Sequence, residues 1–356
     1  MQTSSRKLLI ILAGILLAGF VVYQSSGFVH KANFTGQKLL HAIAGANVYL
    51  LLLSVVVIYV CYAVRALRWQ LFQGNLGSSR FWIIYKMTLA GFTAIFALGR
   101  PGEPVRPLLL ARKENLPIAD IFGIYALERL FDFGATAVLG ALGLILYQSH
   151  GYQAGLTSEL GTWVRKAGMV LLAAVGGGIL ALTYLRLRGS AKLEMRLRDS
   201  QRSHGWRGSF ARILLGFVRG VQVIRTWGEL FLALVYSMVH WFLVLLVYYW
   251  GSRSFGGRLG TLSLGDVMLV MAVSLVGSVV QLPAVGGGAQ LASYLVYTKI
   301  FEVQPEPATA AAIVIWLIGF AACSFAGVPL LIQEGLSLGR LRELAHEKEA
   351  ASEAAQ

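Results

Sequence analysis

Long apolar stretches alternate with short polar ones along this chain, and the apolar stretches have membrane length. A helix rises about 1.5 Å per residue, so about 20 mostly apolar residues cross a bilayer. Six segments qualify: 8–24, 44–64, 119–147, 167–185, 229–250 and 308–333. Two further apolar stretches are interrupted. The stretch 81–98 runs into Gly99-Arg100-Pro101-Gly102-Glu103-Pro104, then a short polar-tinged run to Arg112. The stretch 263–282 runs into Pro283-Ala284-Val285-Gly286-Gly287-Gly288, then a short run to Phe301. Proline and glycine at that density stop a helix inside an apolar region.

Composition agrees. Hydrophobic residues make up 56% of the 356 positions, charged residues only 13%, and mean hydropathy is +0.66. A soluble domain carries about 25% charged residues, so a soluble enzyme is excluded. The net charge of +14 reads as basic loops held at an anionic leaflet, not as a nucleic-acid footprint. Cys61 and Cys323 both lie in apolar runs, with no CxxC pair. No metal or cofactor is expected. Arg6-Lys7 followed by an apolar run resembles a signal peptide, but Gln24-Ser25-Ser26-Gly27 offers no clear A-x-A site. An uncleaved first span is the preferred reading.

Charge also sets how the broken stretches cross. The connector 186–226 holds ten Lys/Arg against Glu194 and Asp199, which makes it cytoplasmic. If each broken stretch is a re-entrant hairpin, 18 Lys/Arg fall inside and six outside. A single crossing by the first hairpin destroys that bias. The segment 103–115, with Glu103, Arg106, Arg112, Lys113 and Glu114, is too short and too charged to span alone. Both termini are then cytoplasmic.

The order span, hairpin, span occurs twice, with offsets of about 185 residues, as inverted-repeat transporters show. Adding the first span of each half gives two units of three crossings and one hairpin. Three is odd, so the second unit sits upside down. The expected fold is an all-α polytopic membrane protein, with about six full spans and two re-entrant helical hairpins in an inverted-topology repeat. Residues 1–166 form the first repeat, 167–333 the second and 334–356 a cytoplasmic tail. Within 206–226 an apolar stripe flanked by arginines reads as an interfacial helix.

Irregular backbone at membrane depth is tolerated only where protein buries it or a water-filled cavity meets it, so the two breaks are the first candidates for a substrate site. Break one brings Arg100, Glu103 and Arg106 together. A half-helix starting there turns its free N–H groups to the cavity, and guanidinium groups suit phosphate. The alternative is a cytoplasmic turn whose arginines only anchor headgroups. Break two offers Gly286, Gly287 and Gly288 with Gln281 and Gln290, but no charge. The segment 119–147 carries Glu128, Arg129 and Asp132 deep in the hydrocarbon, where ionisable groups face inward and pair. Glu128 and Asp132 share a face at i,i+4, and Arg129 can pair with Asp132 at i,i+3. Arg100 or Arg106 is expected to neutralise the remaining carboxylate. A structural ion-pair lock and a direct role toward substrate or proton both stay open. His240 reads as a packing residue.

The motif Gly99-Arg100-Pro101-Gly102-Glu103-Pro104-Val105-Arg106, followed by Glu128-Arg129-Leu130-Phe131-Asp132, resembles the lysylphosphatidylglycerol synthase transmembrane-region family, also called flippase-like domain proteins. The likeness covers about 8–333. Break two resembles that family's proline-glycine segment more weakly: where many relatives carry an acid after the glycines, this chain has Gln290 and Ala292. The resemblance implies translocation of a phospholipid or another amphipathic lipid between leaflets of a bacterial inner membrane. In two-part relatives a soluble domain aminoacylates phosphatidylglycerol and the membrane part flips the product. With about 23 residues after the last span, this chain is expected to lack that domain and to make no aminoacyl lipid. The expected partners are membrane lipids, sugar-linked polyprenyl lipids and hopanoids among them, and a lipid-synthesis enzyme, with no nucleic acid. One alternative is an accessory or scaffold protein for a lipid-modifying or glycosyl-transferring enzyme. Another is a membrane-embedded transferase working through Glu128 and Asp132.

Overall fold

The computed structural model describes residues 36–77, 80–149, 223–279, 281–282 and 286–334, with scattered positions between 162 and 180. The expected span 8–24, most of the span 167–185, the connector 186–222, Pro283-Ala284-Val285 of break two and the tail beyond Glu334 lie outside the described residues. The described chain is helical throughout, save one two-residue antiparallel pairing of Gln281–Leu282 with Gly286–Gly287.

The helices are α1 (Gly36–Ala44), α2 (Val48–Gln73), α3 (Phe81–Leu98), α4 (Val105–Lys113), α5 (Ile118–Ser149), α6 (Trp227–Arg253), α7 (Leu264–Gly277), α8 (Gly288–Lys299), α9 (Pro305–Trp316) and α10 (Ser324–Gln333). A π-helical turn, Leu317–Ala321, joins α9 to α10. Among the described residues four stretches are long and apolar enough to cross a membrane: α2, α3, α6 and the run Pro305–Gln333. The helix α5 has the length, but it carries the Glu128-Arg129-Asp132 charges.

The helix starts follow capping chemistry. The Asn47 side chain accepts from the N–H groups of Tyr49 and Leu50, at 3.0 and 3.3 Å. Thr226 caps α6 by accepting from the Glu229 N–H at 3.1 Å. Ser263 and Asp266 form a capping box on α7. Tyrosines of α2 donate to two carbonyls at and just after the π-turn. Tyr62 donates to the Gly319 carbonyl at 2.7 Å and Tyr59 to the Ala322 carbonyl at 2.6 Å.

Each interrupted stretch folds into a helical hairpin. The helix α3 stops at Gly99, whose φ of 70° suits glycine. A 3-10 turn over Arg100–Gly102 follows, and α4 runs back along α3. Close return is possible because Gly91 has no side chain: a Cβ there would collide with the Arg106 Cβ and lie 3.2 Å from its Cα. The ends of the hairpin meet again, with Arg80 Nε 3.6 Å from the Glu114 carboxylate. The second hairpin, α7 and α8, repeats the device about 185 positions later. A Cβ at Gly277 would sit 2.7 Å from the Ala292 Cβ. Just before α7, Arg258 donates to the carbonyl of Phe301, just after α8, at 3.3 Å. Each hairpin thus starts and finishes at one end of the bundle.

The two hairpins use opposite ends. The helices α2 and α6 pack antiparallel along their lengths. At one end the Asn47 N–H donates to the Ser254 carbonyl at 2.7 Å. At the other, Asn75 donates to the Val223 carbonyl and to Glu229, at 2.8 and 2.9 Å. The first hairpin joins the α2 C-terminal end, the second the α6 C-terminal end. Packing is exchanged between the halves: α3 lies on α10, and α7 lies on α5. Trp69, Phe72, Ile84, Leu110, Ile124 and Leu127 form a core around the first hairpin. Leu245, Val267, Leu269, Val296, Tyr297 and Phe301 form one around the second. Burying such side chains contributes roughly 1.5–3 kcal/mol each only against water; within lipid, close packing and hydrogen bonds carry the association.

One expectation is corrected here. The apolar window ends at 64, so Arg65 and Arg68 read as loop charges on the cytoplasmic side. Instead α2 continues to Gln73, and both arginines lie within it, buried. Trp69 and Phe72 prolong the inward face past the end of the apolar run, so the helix has reason to continue.

Candidate functional site

Where α2, α4, α5 and α6 meet, six charged side chains are drawn into one network. Glu128 and Asp132 project from one face of α5, ten and fourteen residues from its start, so ~15–21 Å along it. Both are buried. Glu128 Oε1 accepts from Arg65 Nε at 2.6 Å and from Arg68 Nη2 and Arg106 Nη1, each at 3.2 Å. Its Oε2 accepts from Arg106 Nη2 and has Arg129 Nη2 3.4 Å away. Asp132 Oδ1 accepts from Arg68 Nη2 at 2.7 Å and from the Trp241 indole N–H at 3.2 Å. Its Oδ2 accepts from Arg65 Nη2 and lies 2.9 Å from Arg129 Nη2. Arg68 also donates to Ser237 Oγ at 2.7 Å.

The cations are held by more than the acids. The Arg106 guanidinium lies 4.6 Å from the Trp69 ring centre, Arg65 lies 5.1 Å from Phe92, and Arg129 lies 5.2 Å from Tyr125. Such stacking gains when water is excluded. His240 settles its own protonation. Its Nδ1 lies 3.1 Å from the Cys61 carbonyl, which can only accept, and its Nε2 lies 3.4 Å from Arg65 Nη1, which can only donate. The imidazole is therefore the neutral Nδ1–H tautomer, a packing residue as its sequence context indicates.

A second, smaller cluster sits at the tip of the first hairpin. Arg100 pairs with Glu103, and Glu103 accepts a hydrogen bond from the Tyr125 hydroxyl. Tyr125 in turn carries Arg129 on its ring, so the tip and the deep network are joined. Arg100 Nη2 also donates to the Ser278 carbonyl at 2.6 Å and to Ser278 Oγ at 3.3 Å. Ser278 caps the C-terminus of α7, so the tips of the two hairpins touch.

Sequence reasoning reaches Arg100, Glu103, Arg106, Glu128, Arg129 and Asp132, and the structure brings all six into these joined clusters. Arg106, not Arg100, neutralises Glu128. Gly286 and Gly287 lie elsewhere, in the short strand pairing; the Gly287 N–H donates to Gln290 Oε1. The residues missed are Arg65, Arg68, Tyr125, Ser237 and Trp241. The readable signal for the two arginines is their i,i+3 spacing on the face that carries Cys61, Tyr62, Trp69 and Phe72. Among the described residues no group of three or more His, Cys, Asp or Glu is placed to hold a metal ion.

An all-helical bundle with buried charge between membrane-length helices defines a multi-pass membrane protein. Residues 10–327 match the family described as the lysylphosphatidylglycerol synthase TM region, and the chain belongs to that family. A similar curated protein is the UPF0104 membrane protein of Methanothermobacter thermautotrophicus, 26% identical over 179 residues. That alignment covers 48% of this chain and 48% of the relative. No solved structure matches.

Proposed function

We propose that the protein moves an amphipathic, phosphate-bearing lipid between the leaflets of a bacterial inner membrane, with its headgroup passing the arginine network and its acyl chains remaining in lipid. The observation that carries this reading is the surplus of guanidinium groups at membrane depth: among the described residues, Arg65, Arg68, Arg106 and Arg129 pair with two carboxylates, Glu128 and Asp132. Charge that deep is costly and marks a pathway for ions or polar groups in most membrane proteins. The family supports the reading, since it is the membrane part of lipid-synthesising relatives.

The antiparallel α2 and α6, the two hairpins at opposite ends and the exchanged packing of α3 with α10 and α7 with α5 support an inverted-topology repeat. In that reading the units are 1–166 and 167–333. The hairpins are re-entrant, and their touching tips at Arg100 and Ser278 form the gate between the two faces. Arg106 and the buried acids then position the network, while Arg129 and Arg100 meet the headgroup.

Sided labelling of total membrane lipids tests this in cells with and without the protein. The expected result is one lipid whose distribution between leaflets changes while its total amount stays constant. A new or missing lipid species points instead to an enzyme. Unchanged sidedness of every lipid contradicts the reading.

A further inference from the structure

The charge count of the network says which headgroup it takes. Arg100 and Glu103 cancel as a pair at the hairpin tip. That leaves the deep set, four guanidinium groups against two carboxylates, with two positive charges unmatched. His240 adds none, being held neutral. The other acids of the described chain are engaged or placed elsewhere. Glu229 binds Asn75 and the Arg225 N–H, Asp266 caps α7, Glu334 binds Lys113, and Glu114 lies by Arg80. Among the described residues no further acid reaches the network. Two uncompensated charges at this depth are costly by the usual desolvation arguments. A bound anion removes that cost.

Access to the network is uneven. The Arg65, Arg68 and Arg106 side chains are at most 5% exposed, whereas that of Arg129 is 32% exposed. Donor capacity is left over as well: Arg129 Nε and the fully buried Arg68 Nε carry no hydrogen-bond partner. Arg129 therefore presents the surplus, and Arg68 backs it.

We infer that this site selects a doubly charged phosphate headgroup, a terminal phosphate monoester or a diphosphate, over a singly charged phosphodiester, with Arg129 as the contacting guanidinium. The inference rests on the lipid reading above and narrows it. A phosphodiester leaves one buried positive charge unmatched. A monoester or diphosphate matches both, and its extra oxygen accepts from the exposed part of the Arg129 guanidinium, in the charge-assisted geometry that arginine favours.

The test uses the full-length protein in phosphatidylcholine nanodiscs at pH 8. The probes are dioleoyl phosphatidic acid, dioleoyl phosphatidylglycerol and inorganic phosphate, with binding read by native mass spectrometry and by competition. We expect phosphatidic acid to bind about tenfold more tightly than phosphatidylglycerol. Arg129→Gln should remove most of that preference, Arg129→Lys should keep part of it, and Lys299→Gln should leave it intact. Equal binding of the two lipids overturns the charge assignment, yet leaves lipid transport to stand or fall on the sidedness assay. Inorganic phosphate that binds as tightly as phosphatidic acid and displaces it overturns the lipid as source of the anion. Binding of none of the three overturns the anion site itself. The wild-type lipid ratio decides the matter even where an arginine variant does not fold.

Discussion

The two hairpins share a backbone and differ in chemistry. Both break near glycines, return along themselves over a bare glycine, and end where they began. Gly91 and Gly277 do the same steric work in each. Yet the α3–α4 hairpin brings Arg100, Glu103 and Arg106, while the α7–α8 hairpin offers Ser278, Gln281 and Gln290. The fold of a hairpin is thus set by small residues and breaks. The chemistry is set by a few charges that only one hairpin carries. The second tip serves as a partner for the first, through the Ser278 carbonyl that receives Arg100.

That contrast can be broken from the charged side first. Glu128→Ala leaves four arginines, Arg65, Arg68, Arg106 and Arg129, with Asp132 as the network's one remaining acid, and it should cost about 3–5 kcal/mol, the usual penalty for orphaning a buried charge. A fall in the detergent-solubilised Tm far larger than for any second-hairpin change is the expected result. Next come the paired substitutions Gly91→Val and Gly277→Val. Each forces a side chain into occupied space and should cost about 1–3 kcal/mol. Gly91→Val also pushes Arg106 away from Glu128, so leaflet exchange should drop sharply at a stability loss equal to that of Gly277→Val. Similar exchange rates in the two variants would show that the hairpins are chemically equivalent.

Smaller effects sharpen the same contrast. Gln290→Ala removes the acceptor for the Gly287 N–H and should cost about 1 kcal/mol, with headgroup binding unchanged in the nanodisc assay. Arg100→Gln is the reverse case. Its side chain is 42% exposed, so the ion pair should contribute less than about 1 kcal/mol to stability. Leaflet exchange should nevertheless slow by about tenfold, because the charge-assisted bridge between the tips is gone.

How much of this was legible in the sequence follows from the same physics. The Gly99–Arg106 break and the Glu128, Arg129 and Asp132 triplet stand out because charge and proline inside apolar stretches are costly, and so conspicuous. Helix spacing alone pairs Arg129 with Asp132. Arg65 and Arg68 were hidden because an apolar window closes at the first arginine, whereas a helix closes only when its inward face runs out, here after Phe72. Tyr125 and Trp241 were hidden for another reason. Aromatic side chains at membrane depth serve equally as packing, as hydrogen-bond donors or as platforms for a guanidinium, and spacing does not separate these uses. The exchanged packing between halves required coordinates, since an offset of about 185 residues predicts likeness between the units, not which helices touch.

The most direct test is the rate of leaflet exchange of a phosphate-bearing lipid in proteoliposomes, compared between the native protein and Arg129→Gln, with the fold of both checked by thermal melting. The native protein should speed exchange of the doubly charged lipid, and the variant should return it to the protein-free rate without a comparable loss of Tm. Equal rates for the two proteins would leave the arginine network a structural lock with no part in moving lipid.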